Sequence, residues 1–489
     1  MFSILHISDL HRSSRDPITN AELISALVAD RERYLNEDPP IRAPDAIVVS
    51  GDLIQGVGLG APNYEAELAE QYAVAEAFLG ELADRFLSGN RGAVIVVPGN
   101  HDVDWNTAKS AMTLVAAADV PPNLAAALFS DRGEYRWNWK TRELFQITDA
   151  QAYARRLNAF GTFFERFYHG VPELLRVQRD ADANLFALNN GTFGVAAFNS
   201  CHGNDCFAFH GYIPREVIAR THLDLNTETL SFDLLIAVWH HSMEGPPYRT
   251  DYMDIDIVRG MIGRGFRLGL YGHQHHAQVA PHEIYLPDRE RMGVVSAGSL
   301  CAGASELPIG VYRQYNIIEV ADDFGKATVH VRHMAAANLF GRATLDIFGG
   351  RSFATLNWGP RRDDLGRPIN AGANRIRAAV EHAEVAFKSG DSGACVELLL
   401  PYRSTLDAYG RRLLVQSAHS SRNWGVVLDV TDPPNTIEEL VLRVQTFTEE
   451  RSYDGARQAL DSYSKKLALD AAMEDELRNR ITAEEKLRQ

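Results

Sequence analysis

Short aliphatic runs punctuate the first two thirds of the chain, and most of them stop abruptly at a polar residue. The runs at 4–7, 46–49, 93–97, 195–198, 234–239 and 267–271 are largely continuous rather than alternating, as expected of strands covered on both faces. Helix formers fill the stretches between them, so the pattern predicts an α/β domain over residues 1–335. Within it, 103–190 reads as a helical insertion or partial cap, with helices at 124–129 and 150–167 around Trp137 and Trp139. Runs at 293–297, 315–320 and 327–331 read as an antiparallel finish to the sheets.

Residues 336–372 are rich in Gly, Arg and Asn and read as a linker. Beyond them, Ile376, Ala379, Val380, Ala383 and Phe387 fall at helical spacing before a break at Ser389-Gly390-Asp391. A similar face and break recur over 440–447 and 456–467. The expectation for 373–489 is a mainly helical accessory domain, loosely tetratricopeptide-like, with 413–415 and 426–430 open to a strand reading. The charged stretch 474–489 reads as a terminal helix.

Composition narrows the class without naming a chemistry. Of 489 residues, 45% are hydrophobic and 23% charged, and no apolar stretch is long enough to cross a bilayer. No basic segment, apolar stretch and cleavage site precede Asp9, so a secretory leader is not expected. Four cysteines are too few for a disulfide framework, and a cytoplasmic setting with free thiols is the expectation. A net charge of −15 disfavours broad binding to nucleic acid.

Chemistry enters through five blocks, each behind an apolar run. They are Ile7-Ser8-Asp9-Leu10-His11, Ser50-Gly51-Asp52-Leu53, Pro98-Gly99-Asn100-His101-Asp102, Trp239-His240-His241 and Gly272-His273-Gln274-His275. Singly, an Asp-x-His triplet or a Gly-Asp turn is commonplace, and a lone histidine is more often structural than a ligand. If the strand geometry persists, Asp9 and His11 share a side, as do His273 and His275. In an α/β sandwich, ligands bind beyond the carboxyl ends of strands, so five such blocks can converge there. Asp, His and Asn without Cys form a donor set for manganese, iron or zinc rather than a structural zinc clamp.

In this order the blocks resemble the calcineurin-like metallophosphoesterase superfamily over residues 1–335. The resemblance implies a four-layer α/β/β/α sandwich and two divalent metal ions, manganese first, with iron, zinc or nickel as alternatives. One ion would be held by Asp9, His11, Asp52 and His275, the other by Asp52, Asn100, His240 and His273, with Asp52 bridging. His241 competes with His240, which is favoured because it lies directly at the strand end. A hydroxide between the ions would attack phosphorus, His101 would contact the phosphoryl oxygen or protonate the leaving group, and Asp102 would orient His101. Phe198-Asn199-Ser200 followed by Gly211-Tyr212-Ile213 is similar to cyclic-nucleotide phosphodiesterase-like members.

Substrate and partners are less determined. The expected activity is phosphodiester hydrolysis on a nucleotide or other small molecule, favoured over a phosphomonoester. A repair-type nuclease is the alternative, weakened because Ile54-Gln55-Gly56 follows Leu53 where those enzymes often carry a further Asp. A protein phosphatase, or a metal-bound scaffold with a protein partner on 373–489, are further readings. Cys201, His202 and Cys206 offer too few ligands for a zinc site, so that stretch reads as a rim loop where His202 or His210 touches substrate. Trp105, Trp137, Trp139 and Tyr248 are candidates for stacking on a base or for simple packing.

Overall fold

Every residue of the first apolar run is buried, and in the computed structural model it becomes a central strand. The described residues are all except 17, 129–132, 173, 227–231, 246–250, 284–289, 302–306, 308–310, 337, 346–347, 360–370 and 488–489. In chain order the strands are β1 (Phe2–Ile7), β2 (Ala46–Val49), β3 (Val94–Val96), β4 (Met112–Leu114), β5 (Tyr135–Asn138), β6 (Glu143–Ile147), β7 (Ala183–Leu188) and β8 (Phe193–Phe198). They continue as β9 (Leu234–Val238), β10 (Phe266–Tyr271), β11 (Gln278–Glu283), β12 (Arg291–Ser296), β13 (Gln314–Val320), β14 (Lys326–Ala336), β15 (Leu339–Arg342) and β16 (Phe353–Asn357). One sheet runs β15-β14-β13-β1-β2-β3, with β16 also on β14, and a second runs β11-β12-β10-β9-β8-β7. β1, β2 and β3 are mutually parallel, as are β8, β9, β10 and β12.

The continuous apolar runs have a simple cause, visible in β9. Leu234, Ile236 and Val238 join an inner core with Ile4, Val48 and Ile317, while Leu235 and Ala237 join an outer core with Val258, Met261 and Phe266. Both faces of the strand are buried, so neither can be polar. Phe2 of β1 stacks on Phe193 of β8 with ring centroids 4.3 Å apart, joining the sheets face to face. Helices Asn20–Arg31 and Tyr64–Leu87 cover the first sheet, and Arg215–Leu225 and Ile255–Ile262 cover the second. This is the expected α/β/β/α sandwich. The first helix begins with a capping box between Thr19 and Glu22.

Several sequence expectations need correction. The insertion after His101 is not only helical: β4, β6 and β5 form a separate antiparallel sheet that carries Trp137 and follows the short helix Trp105–Ser110. Phe129 and Tyr248 lie outside the described residues. The run at 293–297 is not part of an antiparallel finish alone, since β12 pairs parallel with β10 and antiparallel with β11. Residues 336–372 are not simply a linker, because β15 and β16 both pair with β14 there. Their mostly exposed or half-exposed residues make edge strands with no continuous apolar run to betray them.

The chain forms two compact units, Met1–Ile369 and Asn370–Gln489. The second consists, among its described residues, of helices Ala371–Lys388, Ser392–Leu399, Ala408–Ser420, Trp424–Val430, Ile437–Glu449, Tyr453–Tyr463 and Ala471–Leu487, each packed on the next. The runs at 413–415 and 426–430 therefore lie in helices, not strands. Leu399, Leu414 and Val427 sit in one core, and Leu440, Leu460 and Ile481 in another. Among the described residues, no helix is long and apolar enough to cross a membrane.

One buried ion pair ties a covering helix to the first sheet. Arg332 on β14 donates to Asp30 through Nη2 at 2.6 Å and Nε at 2.8 Å, while Tyr315 donates its hydroxyl to the same carboxylate at 2.5 Å. Asp30 and Arg332 are both buried, so removing Asp30 leaves the Arg332 guanidinium in low dielectric with two of its donors unpaired and only Glu37, 2.7 Å from Nη1, as a charged partner. Asp30→Ala is expected to lower the unfolding free energy by about 3–5 kcal/mol, read as the shift in a urea transition. A change below about 1 kcal/mol would show the pair to behave as a surface ion pair does.

Candidate metal centre

Each of the five blocks begins where a strand ends, but the backbone does not stay extended. Asp9, His11, Asp52, His273 and His275 all have positive φ, at 51°, 43°, 52°, 75° and 56°. Side chains two residues apart therefore converge because the backbone alternates through the left-handed region, and not because a strand continues as the sequence reading supposed. Such residues cost on the order of 1 kcal/mol or more each and persist where surrounding structure holds them. Here the holding is visible: Asp9 N, His11 N and Arg12 N donate to the carbonyls of Gly51, Asp52 and Leu53 at 3.1, 3.0 and 2.9 Å. The loop after β1 is thus laid along the loop after β2.

Two sets of donor atoms result. In the first, His275 Nε2 is 3.3 Å from Asp9 Oδ1 and 3.3 Å from His11 Nε2. In the second, His240 Nε2 is 3.0 Å from Asn100 Oδ1 and 3.3 Å from His273 Nδ1, which is itself 2.9 Å from Asn100 Oδ1. Asp52 belongs to both, with Oδ2 at 3.2 Å from His240 Nε2 and 4.0 Å from His11 Nε2. Its Oδ1 accepts from the backbone N–H of His101 at 2.8 Å. All seven candidate ligands are brought together.

His241 is not among the residues whose ligand atoms cluster here, although its Nε2 is buried without a hydrogen bond. Its Nδ1 faces the Ser200 hydroxyl at 2.9 Å, and that oxygen also receives the backbone N–H groups of His240 and His241. Nothing in the five blocks pointed to Ser200 in this role, although the Phe198-Asn199-Ser200 stretch marked its position. His240 is instead turned inward by its Nδ1, which donates to Ser50 O at 2.8 Å.

His101 borders the site, with a ring nitrogen within 4.8 Å of ligand atoms of His11 and Asp52. The expectation that Asp102 orients it is wrong. Asp102 is buried and accepts from Gly99 N at 2.8 Å, Leu53 N at 3.2 Å and Tyr72 OH at 2.9 Å, so both of its oxygens are engaged by groups other than His101. The His101 ring is oriented by the Gln55 carbonyl, 2.7 Å from Nδ1. A backbone acceptor leaves no mark in sequence.

Cations suit this donor set. Burial pushes the carboxyl groups of Asp9 and Asp52 up, yet the histidines around them outweigh it and hold both below the ordinary range. Burial works against a charge on His240, but Asp52 beside it raises the imidazole to about 9. Two buried carboxylates thus favour positive charge beside them. Asp9 Oδ1 is also buried without a hydrogen bond, an acceptor aimed at the first donor set. Oxygen and imidazole donors converging on a buried, acidic point fit divalent cations.

The rim is organised by another carboxylate. Asp205 accepts from Arg136 on β5, from Tyr153 OH at 2.7 Å, and from the N–H groups of Phe207 and Ala208 at 2.8 and 3.0 Å. Cys201 Sγ faces the Pro98 carbonyl and His202 faces Asp182, so among the described residues this stretch gathers no metal site. All four cysteines are free and buried.

Residues 2–277 match the family model for calcineurin-like phosphoesterases. A comparison with curated proteins gives no match. Similar solved structures include PhoD, with 11% identity over 73% of this chain and 70% of that chain at a TM-score of 0.41. Vps29 from Chaetomium thermophilum has 11% identity over 74% of this chain and 98% of that chain, TM-score 0.28. The calcineurin-like phosphoesterase YfkN from Bacillus subtilis has 12% identity over 77% and 96%, TM-score 0.24.

Gly99 sets up a test of the geometry. A Cβ at this residue would lie 2.1 Å from Asp52 Oδ1 and 2.3 Å from Asp52 N, whereas nothing lies within 4 Å of one at Gly58. Wild type is expected to gain melting temperature on addition of Mn²⁺, and Gly99→Ala is expected to displace Asp52 and lose that gain, with helix and strand content unchanged by circular dichroism. Gly58→Ala is expected to keep that gain. An intact Mn²⁺ response in Gly99→Ala would show that Asp52 need not sit where it does.

Proposed function

The chain belongs to the calcineurin-like phosphoesterase family, and on that premise we propose that it hydrolyses phosphodiester bonds of a nucleotide or other small molecule at a two-cation centre. The observation that carries this reading is Asp52, one carboxylate shared between two donor sets. Asp9, His11, Asp52 and His275 would hold one divalent cation, and Asp52, Asn100, His240 and His273 the other. Manganese leads for this set, with iron, zinc or nickel as alternatives. Bound there, the cations supply charge against the phosphoryl oxygens and lower the pKa of water.

The chain's own residues divide the remaining work. The His101 N–H holds Asp52 Oδ1, which leaves Oδ2 facing the histidines of both sets. With Nδ1 of His101 tied to the Gln55 carbonyl, Nε2 is the atom that exchanges a proton, and when protonated it donates to the leaving oxygen. Asp102 acts at one remove by fixing the turn that presents Asn100 and His101.

For the substrate, Trp105 and Phe209 support a planar group. Their ring centroids are 6.0 Å apart, Trp105 lies four residues past His101, and Phe209 lies two before Gly211, which abuts His241. Phe209 is 39% exposed, so part of this aromatic pair stays open to solvent, as a stacking platform requires. A net charge of −15 supports a small phosphoester over a long polyanion. The free, buried cysteines suit a reducing, cytoplasmic setting. The helices of the second unit, packed in sequence order, support a tetratricopeptide-like module for a protein partner.

Metal-reconstituted wild type and Asp52→Asn, assayed against a generic phosphodiester, a phosphomonoester, cyclic nucleotides, single-stranded DNA and a phosphopeptide, decide the reading. Asp52→Asn is expected to lose at least about 100-fold in turnover on the preferred phosphodiester, and equal activity would sink the proposal. His101→Gln is expected to keep both metals while turnover falls by about 10²–10⁴-fold. Loss of metal in that variant would instead make His101 a ligand.

A further inference from the structure

The two ring nitrogens of His273 have different surroundings. Nδ1 lies 2.9 Å from Asn100 Oδ1 and 3.3 Å from His240 Nε2, on the side of the second donor set. Nε2 lies 3.5 Å from Asp251 Oδ2, a residue outside all five sequence blocks. We propose that Asp251 is a positioning residue: its carboxylate accepts from His273 Nε2–H, fixes the tautomer whose lone pair is on Nδ1, and so completes the second cation site. The inference rests on the two-cation reading above.

The same device recurs among the neighbouring histidines. His240 presents Nε2 to the site while its Nδ1 faces the Ser50 carbonyl at 2.8 Å, and His101 Nδ1 faces the Gln55 carbonyl at 2.7 Å. In each case an oxygen on the far nitrogen decides which nitrogen meets the site. His273 stands beyond β10 on a turn whose backbone N–H is committed to Asp9 Oδ2 at 3.1 Å, and Asp251 supplies its far oxygen from another segment.

That segment is anchored. Met253 N donates to Ser242 O at 2.7 Å, and the Met253 side chain is buried in the core that also holds Trp239. Gly245 fits against Tyr252, where a Cβ would come within 2.7 Å of the ring. Asp251 thus lies two residues before a backbone bond to Ser242, which follows directly on the strand end that carries His240. With 25% of its side chain exposed and 9% of that of His273, the pair is partly shielded from water, so its interaction is neither fully screened nor burdened by complete desolvation.

The test is calorimetric titration of the metal-free full chain with Mn²⁺, alongside its melting temperature without metal. Asp251→Ala is expected to weaken one of the two binding events by about 10–100-fold, leaving the other event and the metal-free melting temperature unchanged. Asp251→Asn, whose amide oxygen can still accept, is expected to recover part of that loss. Two wild-type binding events in Asp251→Ala would overturn the proposal. So would equal weakening of both with a lower metal-free melting temperature, since that is the signature of a merely structural residue. Asp52→Asn titrated in parallel separates the failures: if it too binds as wild type does, the two-cation reading has failed, not the role of Asp251 alone.

Discussion

Asp9 and Asp52 are buried carboxylates at the seam between two sheets, and a buried charge has to be compensated where it sits. The compensation comes from every direction at once. His275 meets Asp9 Oδ1 at 3.3 Å, His240 meets Asp52 Oδ2 at 3.2 Å, and backbone N–H groups of His273 and His101 donate to the other oxygen of each carboxylate at 3.1 and 2.8 Å. These partners sit on strand ends of both sheets, so the carboxylates can be satisfied only when the sheets are registered against each other. The site and the sandwich are in this sense one structural problem. Gly51 shows how tight the solution is: with φ of 95°, it leaves no room for a Cβ, which would fall 2.5 Å from His240 Nδ1.

Much of this was legible because it depends on side-chain type and short-range pattern. The buried runs of β1, β2, β9 and β10 cannot be anything but apolar when both faces are covered, and the polar blocks behind them mark where cover ends. What sequence pattern could not supply was direction. An extended continuation would also have aligned Asp9 with His11, and only the positive φ of both residues shows that the backbone had already left the strand. The same limit explains the reading of Asp102. Adjacent to His101 in the chain, it is the natural orienter on paper, yet its oxygens are spent on Gly99, Leu53 and Tyr72.

Elements that escaped the sequence share a physical trait. β15 and β16 are edge strands paired along one side of β14, with exposed positions among few buried ones, so neither alternation nor continuity survives in their composition. The runs at 413–415 and 426–430 err the other way. A short apolar run fits a buried strand or one face of a helix equally well, and the choice is made by neighbours that complete a 13-residue helix around the first of them.

The chemistry and its orientation are therefore written in different alphabets. Asp, Asn and His identities specify what the centre can hold, and they stand out in a sequence because few other roles need them together. Which nitrogen faces inward is set by the carbonyls of Ser50 and Gln55, groups every residue possesses. A backbone orienter constrains the path of the loop rather than the residue that supplies it, and the cost of that path falls on positions such as Gly56, where φ is 76° and a Cβ would lie 2.8 Å from the His101 carbonyl.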